Sequence, residues 1–380
     1  MAGIYLHIPF CKKACHYCDF HFSTSLHYKD QLLEAMHREI ELRAGLLPEV
    51  HTIYFGGGTP SLLTDAELST LLQSLNKHFK LANDVQVTLE ANPDDLNFDR
   101  LMALKAIGIQ RLSIGIQSFH NEDLIWMNRS HQAKQALQCI EDAVEIGFDE
   151  LNIDLIFGYP LLSDEKWTSN IQQALSLPIQ HLSCYSMTVE DRTALSYQIK
   201  KGQTAAMEDG QAARQYLMLM EAMEAAGWEH YEISNYCKPG FQSRHNTSYW
   251  QSEAYLGIGP SAHGYLNPER YWNIANNAKY MESLLAGNLA EEREYLSEDD
   301  QYNEYLMTRL RTSAGITKAD LEKRFGSDAW PLLLSELELY RSELGSEAVA
   351  SAFSLTESTL SLTRAGKLLA DSHIAALFRA

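Results

Sequence analysis

The stretch Tyr5-Leu6-His7-Ile8-Pro9-Phe10-Cys11-Lys12-Lys13-Ala14-Cys15-His16-Tyr17-Cys18-Asp19-Phe20 decides how the rest of the chain is read. From Ile4 to Ile8 apolar and polar residues alternate, which is the pattern of a half-buried strand. Three thiols follow, separated by three and then two residues. Thiolates bind iron, and this spacing lets one compact loop wrap a single cluster. A [4Fe-4S] cube takes four ligands and the loop offers three. One iron is thereby left for a small chelating ligand with amine and carboxylate groups. A zinc site, or three incidental buried thiols, is the competing reading.

The other cysteines, Cys139, Cys184 and Cys237, are scattered along the chain, which is no disulfide framework for 380 residues. Reduced thiols and metal ligation are expected. A formal charge of -19 repels phosphate polyanions, so nucleic acid is not an expected partner. No apolar run reaches the roughly 18 residues of a membrane helix. Met1 leads straight into the first strand without a leader pattern. The expectation is a cytoplasmic protein with at most peripheral membrane association. With 45% hydrophobic and 21% charged residues, the chain should fold throughout.

From the N-terminus to about residue 190, short β-rich runs alternate with amphipathic helical runs, the signature of βα units on a parallel sheet. Six strands are expected, over residues 3–8, 52–55, 86–90, 111–116, 150–157 and 181–187. Thr64 and Ser163 stand where helix caps belong. Right-handed crossovers would curl these units into a full or partial barrel. Three regions follow: residues 1–200 as the barrel, 201–296 as a connecting region, and 297–380 as a smaller, mainly helical domain of winged-helix type. The acidic balance gives that last domain a packing or substrate-covering role rather than a DNA-binding one.

Unusual polar and glycine residues fall at the carboxyl ends of the expected strands, where βα barrels place their active sites. The cysteines follow strand one, Gly56-Gly57-Gly58-Thr59-Pro60 follows strand two, Glu90-Ala91-Asn92-Pro93 closes strand three, Gln117 closes strand four, and Asp154 lies in strand five. The glycines give backbone that a ligand can approach closely, although alone they could be a tight turn. Glu90, Gln117, Arg129 and Asp154 suit the hydroxyls, ammonium and carboxylate of a nucleoside cofactor. Each could equally be a structural hydrogen-bonding residue. Glu90 and Asp154 sit in apolar strands and need partners if buried.

These motifs, together with Ser113-Ile114-Gly115-Ile116-Gln117-Ser118-Phe119, Asn128-Arg129 and Asn152-Ile153-Asp154-Leu155-Ile156-Phe157-Gly158, resemble the radical SAM family of oxygen-independent coproporphyrinogen III oxidases. The resemblance covers nearly the whole chain. It implies an α/β fold, a partial (β/α)6 barrel with a winged-helix-like C-terminal domain. It also implies a [4Fe-4S] cluster on Cys11, Cys15 and Cys18. Contacts to S-adenosylmethionine (SAM) would fall on Tyr5, Tyr17, Gly57, Gly58, Thr59, Glu90, Gln117, Arg129 and Asp154. The chain departs from the oxidase at Phe20, where the oxidase has a further cysteine, and at its start, where the oxidase has a longer segment before the cluster. Arg244-His245-Asn246-Thr247-Ser248-Tyr249-Trp250 looks instead like the His-Asn-x-x-Tyr-Trp signature of the family's heme chaperone branch, which implies heme as a further ligand and respiratory hemoproteins as acceptors. Histidine can ligate heme iron and aromatic rings can cover a porphyrin face, so His245, Tyr249 and Trp250 are the candidate heme contacts. On residues alone, a loop histidine with packed aromatics serves as well. Anaerobic oxidation of coproporphyrinogen III is the alternative function.

Overall fold

The computed structural model describes residues 2–379. Six parallel strands stand side by side in chain order: β1 (Ala2–Ile8), β2 (Val50–Gly57), β3 (Leu81–Ala91), β4 (Arg111–Gln117), β5 (Glu150–Phe157) and β6 (His181–Ser186). Their alternation is strict. Ile4, Leu6, Ile8, Ile53, Phe55, Leu89, Leu112 and Ile114 are wholly buried in the main apolar core. The alternate positions carry Tyr5, His7, Thr52, Tyr54, Thr88, Glu90, Arg111, Ser113, Asn152, Asp154, His181 and Ser183. Layers of branched apolar side chains fill the interior of most βα barrels. Here the strands face one another through a polar interior.

The connecting helices carry the expected start signals. Thr64 Oγ1 accepts from the Glu67 N–H at 3.2 Å while Glu67 Oε2 accepts from the Thr64 N–H at 2.7 Å, a reciprocal box opening the helix Asp65–His78. Ser163 caps the helix Asp164–Ser176 through the Lys166 N–H. Among the described residues no helix is long and apolar enough to cross a membrane.

Sequence periodicity leaves residues 230–272 irregular, and the structure differs there. That stretch contributes to β7 (Glu229–Glu232), β8 (Asn235–Cys237), β9 (Tyr255–Ile258), β10 (His263–Leu266) and β11 (Glu269–Asn273), and β12 (Glu291–Tyr295) follows. Each is only three to five residues long, too short to display a period. All join the same sheet, whose order is β12-β11-β10-β9-β1-β2-β3-β4-β5-β6-β8-β7. Strands β1 and β6 therefore pair outward, with β9 and β8, and the barrel is partial. The C-terminal region has its own apolar core around Tyr302, Leu306, Trp330, Leu333 and Ile374. Its small antiparallel sheet has the order β13 (Ile316–Thr317), β15 (Thr359–Leu362), β14 (Phe353–Leu355). Helices Glu298–Leu310, Lys318–Phe325 and Ala329–Leu344 come before the β14–β15 pair, the winged-helix order.

A buried ionic knot fastens the added strands to the barrel. Arg43 and Glu39 are fully buried, with Arg43 Nη2 2.7 Å from both Glu39 Oε1 and Glu291 Oε2. Glu39 Oε2 also accepts from Tyr280 Oη at 2.5 Å and from the Gly259 N–H at 2.8 Å, while the Arg43 guanidinium lies 4.0 Å from the Tyr271 ring centre. Removing Glu39 leaves the buried Arg43 guanidinium with Glu291 as its one carboxylate and takes the acceptor from Asn273, Tyr280 and the Gly259 N–H; breaking a buried pair in this way typically costs about 3–5 kcal/mol. Glu39→Ala is expected to lower the free energy of urea unfolding by roughly that amount, whereas the exposed Glu41→Ala should change it by less than about 1 kcal/mol.

Candidate functional site

One cavity of about 480 Å³ opens at the carboxyl ends of the parallel strands. The loop after β1 brings Cys11, Cys15, Tyr17, Cys18 and Phe20 to it, and the turn after β2 brings Gly57, Gly58 and Thr59. Glu90 and Asn92 come from the end of β3, Gly115 and Gln117 from β4, Arg129 from the following loop, Asp154 from β5, and Tyr185 and Met187 from the end of β6. Every expected cofactor contact except Tyr5 lines this one space.

Tight local pairing holds the cysteine loop. The Cys11 N–H donates to Ser23 O at 3.0 Å, the Ser23 N–H to Pro9 O at 2.8 Å, and the Cys18 N–H to Cys15 O at 3.3 Å. Asn128 Nδ2 donates to Ala14 O at 2.8 Å, and Lys12 pairs with Asp94 and Asp95. Thr59 Oγ1 donates to Cys11 Sγ and Arg129 Nη1 to Cys15 Sγ, each at 3.5 Å. Burial pushes the Cys18 thiol up to about 12 and also raises Cys11. Among the described residues, no three His, Cys, Asp or Glu side chains converge as tightly as a single metal ion requires. Cys11, Cys15 and Cys18 all line the one cavity.

The rim is strained where it serves the cavity. Gln117 and Asn128 have φ of 69° and 60°, left-handed values that non-glycine residues rarely adopt, and the β4–β5 register shifts between Gly115 and Gln117. Gly115 makes room for Arg129, since a Cβ there would lie 3.1 Å from Arg129 Nη2. That guanidinium donates to Asn92 Oδ1 at 2.6 Å and to Gly115 O at 2.7 Å, and its buried Nε has no hydrogen-bond partner among the described residues.

The carboxylates opposite are held by neutral donors. Glu90 Oε1 accepts from Tyr54 Oη at 2.8 Å and Oε2 from the Gly57 N–H at 3.2 Å, while Asp154 Oδ1 accepts from Asn152 Nδ2 at 2.7 Å. Burial raises both, Glu90 to about 7, where the Asp154 charge adds to the rise. A cavity offering two desolvated carboxylates, one guanidinium and three thiols fits a ligand that carries both a cation and a carboxylate beside an iron cluster.

The expected heme contacts lie elsewhere in the fold. His245, Tyr249 and Trp250 sit on the helix Arg244–Trp250, which closes the amino-terminal end of the barrel, and none of them lines the cavity. His245 is 1% exposed. Its Nδ1 is 2.7 Å from Thr52 Oγ1 and its Nε2 2.7 Å from Tyr249 Oη, so both ring nitrogens are committed. Burial, with the Arg111 charge adding to it, lowers its pKa to about 3. In this conformation the ring has no lone pair to give to iron. Tyr5 also acts from behind the cavity, its ring stacked on Tyr54 with centroids 6.0 Å apart and its Oη 3.3 Å from His7 Nδ1. Sequence reasoning missed Tyr54 and Asn92; the inward register that Tyr54 shares with Thr52 and Gly56 was the available signal.

Comparison with known proteins agrees with this geometry. Residues 5–173 match the radical SAM superfamily and residues 296–369 match the HemN C-terminal domain. The heme chaperone HemW of Mycobacterium tuberculosis is 35% identical over 382 residues, which cover 99% of this chain and 94% of that protein. The heme chaperone HemW of Bacillus subtilis is 35% identical over 376 residues, or 98% and 97% of the two chains. The solved structure of the Escherichia coli coproporphyrinogen III oxidase HemN shares the fold, with a TM-score of 0.85 at 24% identity over 99% of this chain and 90% of that one. The chain belongs to the HemW family within the radical SAM superfamily.

Proposed function

We propose that this chain is a heme chaperone that binds heme and passes it to respiratory hemoproteins, acting from the cytoplasm with at most peripheral membrane contact. The observation that carries the reading is the match, over 99% of the chain, to a protein named as a heme chaperone. Membership of the radical SAM superfamily implies a [4Fe-4S] cluster and SAM. In this reading Cys11, Cys15 and Cys18 hold the cluster, which when bound supplies an open iron for SAM. Glu90 and Asp154 face the cationic and hydroxyl groups of SAM, and Arg129 with Asn92 faces its carboxylate. Gly57, Gly58 and Thr59 offer close backbone, while Tyr17 and Gln117 complete the wall. Phe20, 64% exposed at the cavity mouth, supplies no further thiol where the oxidase has one.

Heme contact through the signature residues sets a physical condition. One of the two 2.7 Å hydrogen bonds of His245 must break before that nitrogen can ligate iron, and the buried ring must leave its place against Thr52 and Tyr54, so heme uptake by this route disturbs the helix at the barrel floor. Hemin titration followed at the Soret band is expected to saturate at one heme per chain, with a weaker or shifted band in His245→Ala. Identical spectra would place the iron away from His245, non-saturable absorbance would remove heme binding, and decarboxylated porphyrinogen under anaerobic turnover would favour the oxidase instead.

The cavity carboxylates give a pH dependence with a definite sign. Glu90 is protonated below about 7 and anionic above it. SAM affinity of the reconstituted protein, measured by equilibrium dialysis, is therefore expected to rise from pH 6 to pH 8, as the anion that faces the ligand's cation forms. In Glu90→Gln the affinity should be lower and the rise flattened.

A further inference from the structure

We propose that Tyr54 is a positioning residue through which the Arg244–Trp250 helix sets the cavity carboxylate of Glu90. The contacts run without a gap from the barrel floor to the cavity. Thr52 and Tyr249 fix the His245 ring by its two nitrogens. That ring stacks on Tyr54, with centroids 4.9 Å apart and planes 20° from parallel, and the Tyr5 ring packs on Tyr54 as well, at 6.0 Å and 26°. Held by these two rings, the phenol donates to Glu90 Oε1 at 2.8 Å.

Two glycines make the clamp possible. A Cβ on Gly3 would stand 2.6 Å from Thr52 Oγ1 and 3.2 Å from the His245 ring, and one on Gly56 would stand 2.7 Å from Tyr5, 3.0 Å from Tyr54 and 3.1 Å from Glu90 Oε1. Removing the His245 ring frees the Tyr54 ring and loosens the one side-chain hydroxyl bonded to Glu90 among the described residues, while the Gly57 N–H remains. The other groups that act on Glu90 are Asp154 from β5 and Arg111 from β4, and the Tyr5, Tyr185 and Tyr249 phenols feel its charge from β1, β6 and the helix itself. Of these only Tyr249 belongs to the Arg244–Trp250 helix, and it acts through its field; the ring and hydrogen-bond contacts from that helix to the carboxylate run through Tyr54.

The functional consequence rests on the reading of the cavity as a SAM site. Any ligand that draws this helix from the floor then changes SAM affinity, and SAM changes the affinity of that ligand by the same factor. The contact itself is tested without SAM, by carbon-13 NMR titration of the Glu90 carboxyl in full-length protein labelled at glutamate, with Glu90→Gln giving the assignment. Tyr54→Phe is expected to raise the wild-type midpoint by about one pH unit, since it removes a hydrogen bond to the anion. His245→Ala should raise it in the same direction, and His245→Phe, which keeps a stacking ring, should restore it. If His245→Ala fails to fold, Thr52→Val, which releases one ring nitrogen at constant volume, should give a smaller rise. A midpoint unmoved in Tyr54→Phe, or equal in folded His245→Ala and wild type, overturns the proposal. Shifted midpoints in a protein that binds no SAM would uphold the positioning role and sink the SAM reading instead.

Discussion

A barrel whose strands turn their polar residues inward must satisfy those residues at both ends. Burying an unpartnered polar group costs on the order of 1–3 kcal/mol, and an unpaired charge costs more. At the floor the histidines are satisfied internally, His245 by Thr52 and Tyr249 and His181 by Asn152 and Tyr231 at 2.5 Å and 2.7 Å, while Thr88 Oγ1 and Arg111 Nη2 keep no hydrogen-bond partner among the described residues. At the carboxyl rim satisfaction is also incomplete. Glu90 and Asp154 are held by neutral donors, and Arg129 keeps an unpartnered Nε. What separates the two ends is the cavity, which opens at the carboxyl rim and gives these groups room for a ligand.

The same constraint explains which features were legible in the sequence. Strand alternation and the residues closing each strand could be read because a polar face every second residue is a strong local signal, so Cys11, Glu90, Gln117 and Asp154 fall where expected. Glu39 and Arg43 could not. Opposite charges four apart on an amphipathic helix read as a solvated face, and only the arrival of Asn273, Tyr280 and Glu291 from more than 200 residues away turns them into a buried knot. The short strands β7 to β12 were hidden because three to five residues are too few to display a period.

The histidine of the His-Asn-x-x-Tyr-Trp signature shows the limit of motif reasoning. Residue type allows His245 to bind iron, yet the fold spends both its nitrogens on neighbours and stacks its ring on Tyr54. A motif gives chemistry a set of atoms, and packing decides whether their lone pairs are free. For the cysteines packing points the other way: Cys11, Cys15 and Cys18 are partly exposed to one cavity, whereas Cys139, Cys184 and Cys237 are buried in the cores between strands and helices.

Three thiolates at the mouth of a partial barrel, with a fourth coordination position open to SAM, is the claim on which the functional account stands. Electron paramagnetic resonance of the anaerobically reconstituted, dithionite-reduced protein tests it most directly, because a ligand on one iron alters the spectrum of the whole cluster. The account predicts a [4Fe-4S] signal that changes shape when SAM is added and is lost in the Cys11→Ala, Cys15→Ala, Cys18→Ala variant. A cluster signal indifferent to SAM, or one that survives removal of the three thiols, would contradict it.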